Sequence, residues 1–237
     1  MTKVVSKRSR ERIFFQLLLL FFRPFAKPIR YLMLKIMKKL RHPYDDRPQQ
    51  ATAEHIVSEF ILPSGFRLFH NATFRERALF HKLPRVEHDR IFNEIMVAGI
   101  CSALFYLRAA KTLVRLEDHH FWQGVEHQIP AQFQKTLMGF GAESGNATMY
   151  QGLIDMRREE YQKISEDILK FNRSENKGFL GLSEEMQYVA AAMKATAIGT
   201  ADHILRGKLK KDDPLPGFLT DWLMGLRRTL FRFVKKL

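Results

Sequence analysis

The chain has 237 residues, 46% of them hydrophobic, which is enough to bury a sizeable core and excludes a chain that is disordered throughout. A single cysteine, Cys101, excludes an intrachain disulfide, and its apolar surroundings in VAGICSALFYL predict a buried, inert thiol in a reducing compartment. The net charge of +14 is uneven, because residues 1–41 carry +11 and residues 206–237 carry +6, which leaves −3 for the middle. Two basic ends on a near-neutral body favour anionic partners: lipid headgroups, nucleic acid or an acidic protein.

The N-terminus combines a basic start with an apolar run, Ile13 to Phe22. Arg23 and Pro24 follow this run directly and no small-residue cleavage site is present, which is atypical of a secretory signal. The run is also well short of the roughly 20 residues that span a bilayer. Because it is apolar on nearly every side, we expect it to attach the chain to a membrane. A mitochondrial presequence is the alternative that the Arg-rich composition allows.

A basic amphipathic helix is predicted after Pro28, because apolar residues from Ile29 to Leu40 recur at helical spacing with Arg and Lys between them. Such a helix lies in a membrane interface, with its lysines reaching toward phosphates. The predicted membrane-binding residues of the N-terminal region are Phe14, Phe15, Leu18, Leu19, Phe22, Leu32, Lys35, Ile36, Lys38 and Lys39.

The body begins with two shorter predicted helices. The first covers about residues 52–62 and ends at the turn Pro63-Ser64-Gly65, although residues 56–70 also fit a hairpin. The second covers about residues 73–82 and ends before Pro84.

A long helix is predicted from Glu87 to Leu116, with an apolar and therefore buried centre. Glu94 and Ser102 interrupt the apolar run, which favours a core helix over a transmembrane one. Pro130 is expected to end this helical region or to start the next helix.

The stretch LEDHHFWQGVEH, residues 116–127, is the densest cluster of potential metal ligands. On a helix Glu117 and His120 share one face about 4.5 Å apart along the axis, the ExxH pair that di-iron bundle proteins use. The chain has no second ExxH, so Glu160 and His203 on other helices are the candidate complements, with iron or manganese as the metal. The interpretation that we favour over metal binding is a polar helix surface or a hydrogen-bonded patch in the core, without a cofactor.

The glycine-rich stretch GFGAESGN, residues 139–146, resembles a phosphate-binding loop only superficially, because its third glycine is one place late and a helix precedes it. It is interpreted as a helix connection with Asn146 as N-cap. Helices are then predicted over about residues 147–171 and 183–206, with Ser183 as N-cap and Gly207 as the stop. The small residues in YVAAAMKATAIGTA permit close helix contact.

A second basic amphipathic helix is predicted after Pro216 and Gly217. Its apolar side either docks on the body or lies in a membrane interface, and both interpretations stay open. If it touches a membrane, the predicted contact residues are Trp222, Arg227, Arg228, Lys235 and Lys236.

These patterns predict an all-α fold: a bundle of four or five main helices with basic amphipathic terminal helices. We expect a membrane-association segment and linker over residues 1–50, the bundle over residues 51–207, and a linker and basic helix over residues 208–237.

The favoured function is a non-enzymatic protein that holds a protein or lipid partner at an anionic membrane surface, on the cytoplasmic face. The alternatives are a metal-dependent oxidoreductase acting on a membrane-soluble substrate, with Glu117 and His120 as ligands, and a nucleic-acid-binding protein. Nucleic acid is disfavoured because the basic residues are interleaved with Phe and Leu and no known binding motif appears.

Overall fold

The computed structural model describes residues 47–110, 118–140, 144–174 and 181–236. Within these ranges every regular element is a helix, which confirms the predicted all-α class. The α-helices are α1 Arg47–His55, α2 Leu62–Phe69, α3 Ala72–Arg77, α4 Arg85–Ala110, α5 His119–Gly139, α6 Ser144–Ser174, α7 Glu184–Ile204 and α8 Leu215–Val234. The N-terminal residues predicted to bind a membrane lie outside the described ranges, so that prediction stays a prediction.

A π-helical turn, Ile56–Ile61, joins α1 and α2. The predicted turn at Pro63-Ser64-Gly65 is wrong, and so is the hairpin alternative, because all three residues lie inside α2. In the π turn the Leu62 N–H donates to Val57 O, and Pro63, which lacks an N–H, then falls in the first turn of α2. Packing holds the helix through this point, since Gly65 lies directly against the side chain of Met96.

The central helix is α4, which packs against α2, α5, α6, α7 and α8. It is long and apolar enough to cross a membrane, and it is the one described helix of which this holds. However, 83% of the most apolar 18-residue stretch of α4 is buried inside the bundle, which is typical of a core helix. Cys101 is fully buried there, and burial raises the pKa of its thiol.

The expectation that Pro130 marks a helix boundary is wrong, because Pro130 is buried inside α5. Its neighbours Ile129 and Phe133 are fully buried in the core, and their packing offsets the hydrogen bond that a proline removes. The structure describes α4 to Ala110 and α5 from His119.

The last two helices begin and end near the predicted residues. Ser183 accepts a hydrogen bond from Met186 N and caps α7 as predicted. The helix ends at Ile204, and Gly207 follows with a φ of 71°. By contrast, α6 begins at Ser144, so Asn146 lies inside the helix and is not its N-cap.

The helices alternate in direction. Arg90 near the start of α4 binds the end of α7, while Phe105 near the end of α4 contacts Tyr188 near the start of α7. Helix α8 runs antiparallel to both α7 and the α1–α2 segment, since Trp222 contacts Ser64 whereas Phe233 contacts Phe60. The start of α1 and the end of α8 therefore lie at one end of the bundle, and the loop before α8 lies at the other.

Candidate functional site

The charged cluster, Glu94, Arg157, Glu160 and His203, joins α4, α6 and α7. Arg157 donates two hydrogen bonds to Glu94, from Nη2 to Oε1 at 2.8 Å and from Nε to Oε2 at 3.1 Å. Its Nη1 donates to Glu160 Oε2 at 3.2 Å, and His203 Nε2 lies 2.8 Å from Glu160 Oε1. Glu94 and Glu160 thus both bind the guanidinium of Arg157. The imidazole of His203 binds Glu160.

Burial makes the central pair of this cluster energetically important. The side chains of Glu94 and Arg157 are only 7% and 13% exposed, so neither charge is well solvated. Burial opposes the charge of Arg157, but its hydrogen bonds to Glu94 and the negative charge of that carboxylate outweigh burial and raise the pKa of the guanidinium. A bidentate arginine–carboxylate pair is the geometry that best compensates two buried charges.

A second set of charged groups continues from the cluster to the end of α7. Arg90 donates to the carbonyl oxygens of His203 at 2.7 Å and Ile204 at 2.9 Å, which lie in the last turn of α7. Glu87 binds both Arg206 and Arg90, and the hydrogen bonds from these two arginines lower its pKa from 4.5 to about 2. The groups tie the end of α7 to the start of α4.

The same region contains a close helix contact that the small residues of α7 allow. A Cβ on Gly199 would lie 2.4 Å from Cε1 of Tyr161, which is fully buried on α6. The Tyr161 hydroxyl is 3.1 Å from Thr200 Oγ1, and burial raises the pKa of this tyrosine well above its usual value. The helices α6 and α7 therefore contact each other closely at Gly199, which has no side chain.

The cluster does not fit a metal ion. Arg157 already places a cation between the two carboxylates, and a second cation there would be repelled. Within the described ranges no group of three or more His, Cys, Asp or Glu side chains is arranged to hold a metal. The charged cluster therefore joins α4, α6 and α7 through side chains of opposite charge.

The three predicted metal residues that the structure describes lie in two separate places. Glu160 and His203 do meet, but they bind each other and Arg157. His120 is exposed in the first turn of α5, near the end where Gln49 of α1 packs against Gly124. Along α5, His120 lies 13 residues, or roughly 20 Å, before Phe133, whose ring contacts Tyr150. Tyr150 in turn binds Asn93, the residue next to Glu94 of the charged cluster. Glu117 lies outside the described residues, so the Glu117–His120 pair stays a prediction, and Glu160 and His203 are not placed to complete it.

The apolar side of α8 is docked in the bundle. Its members are Leu215, Leu219, Leu223, Leu226, Leu230 and Val234, all of which are buried. Trp222 also faces inward: its Nε1 donates to Ser64 Oγ at 2.8 Å, and its ring packs over Gly99. Of the two interpretations left open for this helix, the structure has the docked one, so Trp222 is a packing residue in the bundle.

The opposite face of α8 carries exposed basic side chains around an exposed aromatic ring. Arg228, Phe231, Arg232 and Lys235 are all exposed and fall at i, i+3, i+4 and i+7, so they form one face, here named the basic aromatic stripe. Phe231 is 48% exposed. No acid follows Asp221 in the sequence, and the end of this helix is uniformly basic.

The predicted contact residues of α8 divide accordingly. Arg228, Lys235 and Lys236 are exposed, whereas Arg227 is partly buried beside Met186. The sequence analysis did not identify Phe231 as a contact residue. Its position three residues after Arg228 and four before Lys235 is the signal that places it on the basic face.

Comparisons of the chain with models of known protein families, with curated proteins and with solved structures find no match.

Proposed function

We propose that the protein is a non-enzymatic helical protein that attaches to an anionic membrane surface and holds a protein or lipid partner there. The observation that carries the proposal is the basic aromatic stripe. Its three cations attract anionic headgroups, each contributing about 1 kcal/mol near the surface, while Phe231 supplies an apolar ring that enters the interface.

The position of the stripe in the bundle supports the same proposal. The ring of Phe233 lies 5.1 Å from that of His55 and 5.2 Å from that of Phe60, which puts the end of α8 beside the helix that starts at Arg47. The described bundle therefore begins and ends at one end. Residues 1–41, which precede the described residues in the sequence, carry a further charge of +11. A second basic region in the same chain adds to the attraction to anionic headgroups.

Vesicle sedimentation tests the proposal. The full chain is expected to sediment with vesicles of phosphatidylglycerol and phosphatidylcholine and not with phosphatidylcholine alone, and added salt should release it. Replacing Arg228, Arg232 and Lys235 by glutamine should weaken binding at least tenfold, since about 3 kcal/mol of attraction is removed.

A matched control removes three exposed basic residues from the other end of the bundle: Arg67→Gln, Lys82→Gln and Arg85→Gln. This variant has the same net charge as the stripe variant, and its binding should stay close to that of the unmodified protein. If both variants lost vesicle binding equally, the binding would depend on net charge alone, and the proposed role of the stripe would be wrong. Tighter, strongly salt-dependent binding to DNA or RNA than to anionic vesicles would favour a nucleic-acid-binding protein.

A further inference from the structure

A groove of about 780 Å³ lies between α7 and α8 and extends to the loop that joins them. This volume is within the range of roughly 300–1,000 Å³ that small-molecule sites occupy. Its apolar lining comes from both helices and from the loop: Ala190, Met193, Ile198, Leu209, Pro216 and Met224. The unbranched methionine side chains adapt to ligands of varied shape.

Three lysines border this apolar surface. Lys194 stands on α7, and Lys210 and Lys211 stand in the loop at the end of the groove where α8 starts. All three are exposed, and none of them forms an ion pair with any residue in the described part of the chain. The lining also contains two acids. Asp213 accepts a hydrogen bond from Leu215 N at the start of α8, and Asp221 is exposed on α8, about 9 Å along the helix from Leu215 and the loop that carries Lys210 and Lys211.

We propose that this groove binds a single-chain anionic lipid, such as a long-chain fatty acid. The acyl chain lies along the apolar surface between the helices, and the carboxylate lies at the loop end beside Lys210 and Lys211. The lysines satisfy the headgroup charge, and burial of the chain supplies the affinity.

The charge at the border of the groove favours an anionic ligand with one apolar chain. The α8 residues that line the groove run from Pro216 to Met224 and span about 12 Å at the rise of a helix, so the apolar surface is elongated.

Fluorescence of cis-parinaric acid, a conjugated fatty acid that brightens in apolar surroundings, tests the site with the full chain. We expect saturable binding of one probe per protein, displaced by oleate at least about tenfold more effectively than by uncharged methyl oleate. Replacing Lys194, Lys210 and Lys211 by glutamine should remove that preference. The variant Arg67→Gln/Lys82→Gln/Arg85→Gln, outside the groove, should retain it.

A matched pair of glycine variants tests the location. Gly217 lines the groove, and a Cβ added there would meet no atom within 4 Å. The side chain of Gly217→Leu should therefore occupy the groove and weaken probe binding at least about tenfold. Gly225 on the same helix also has open space at its Cβ but lies outside the groove, so Gly225→Leu should bind like the unmodified protein. Thermal unfolding by circular dichroism checks that both variants fold.

Three results would overturn the proposal: no saturable binding, equal displacement by oleate and its methyl ester, or unchanged binding in a folded Gly217→Leu variant. Tighter binding of an acidic amphipathic peptide than of the fatty acid would assign the groove to a protein partner. None of these outcomes bears on the basic aromatic stripe, because the groove and the stripe have no residue in common.

Discussion

Glu94 illustrates how this bundle tolerates charge in its interior. Its carboxylate is almost fully buried on the central helix, and both of its oxygens accept hydrogen bonds from Arg157. A buried pair of this kind need not be more stabilising than two apolar side chains, but removing one member leaves the other charge without compensation. The cost of breaking the pair is therefore much larger than its net contribution.

We expect Glu94→Gln to lower the free energy of unfolding by about 2–4 kcal/mol, because the buried Arg157 then keeps only the more exposed Glu160 as a counter-charge. Urea unfolding followed by circular dichroism measures the difference. Lys170→Gln is the control, since Lys170 and Asp167 form a pair 3.7 Å apart with both side chains more than three-quarters exposed. Lys170→Gln should lower the free energy of unfolding by less than about 0.5 kcal/mol. Similar losses in the two variants would contradict the assigned role of burial.

Gly199 provides a second test at the residue scale. Gly199→Ala places a methyl group against the buried ring of Tyr161 and should lower the free energy of unfolding by about 1–3 kcal/mol. On α6, Gly152 is exposed and has open space at its Cβ, so Gly152→Ala should instead raise stability by about 0.5–1 kcal/mol through helix propensity. Opposite signs in denaturant unfolding are the expected result, and a neutral Gly199→Ala would show that the contact between α6 and α7 is looser than described.

Glu87 makes part of the stability depend on pH. Its hydrogen bonds from Arg206 and Arg90 lower the pKa of the folded carboxyl from 4.5 to about 2, so the folded state favours the ionised form. This contribution is complete above about pH 4.5 and is lost as the pH falls toward 2. The urea midpoint of Glu87→Gln should therefore be below that of the unmodified protein at pH 7, and the gap should close near pH 2. A gap that persists at pH 2, or exposed Glu76→Gln giving the same pattern, would contradict the ion-pair origin.

At the scale of elements, α8 shows two faces with separate roles. Its apolar face completes the core against α7 and α4 and against the π-helical turn. Its basic face remains exposed near the C-terminal end. Because an amphipathic helix buries its apolar face once, docking in the bundle excludes simultaneous insertion of that face into a membrane.

Two truncations on α8 separate these roles. Leu223 is fully buried, so Leu223→Ala should lower the free energy of unfolding by about 2–5 kcal/mol. Phe231 is nearly half exposed, and Phe231→Ala should cost less than about 1 kcal/mol while weakening vesicle sedimentation. If Phe231→Ala destabilised the fold as much as Leu223→Ala, the assignment of faces would be wrong.

At the scale of the whole molecule, the bundle has two distinguishable ends. The basic aromatic stripe lies near the end at which α1 begins, and Arg85 lies at the start of α4, at the other end. Between them α8 alone extends about 30 Å, so a membrane that contacts one end is well separated from the other. The proposed attachment thus predicts a defined orientation on a membrane.

Site-directed labelling measures that orientation. An environment-sensitive thiol dye placed at Arg232→Cys should shift to the blue on anionic vesicles, whereas the dye at Arg85→Cys should not. Cys101 does not compete for the dye, because it is fully buried and its thiol pKa is raised by burial. A shift at Arg85→Cys equal to that at Arg232→Cys would contradict a single membrane-facing end.

The sequence by itself determined the helical class, the cap at Ser183, the core character of α4 and the amphipathic character of α8. These features depend on side-chain period and on hydrogen bonds between residues a few positions apart, which are local. Tertiary structure decided that helices continue through Pro63 and Pro130, because distant side chains pack around them. It also paired Glu94 with Arg157, 63 residues away, and turned Phe231 outward while burying the apolar face of α8. The physical reason is that which faces meet depends on the packing of all helices together, and no single segment contains that information.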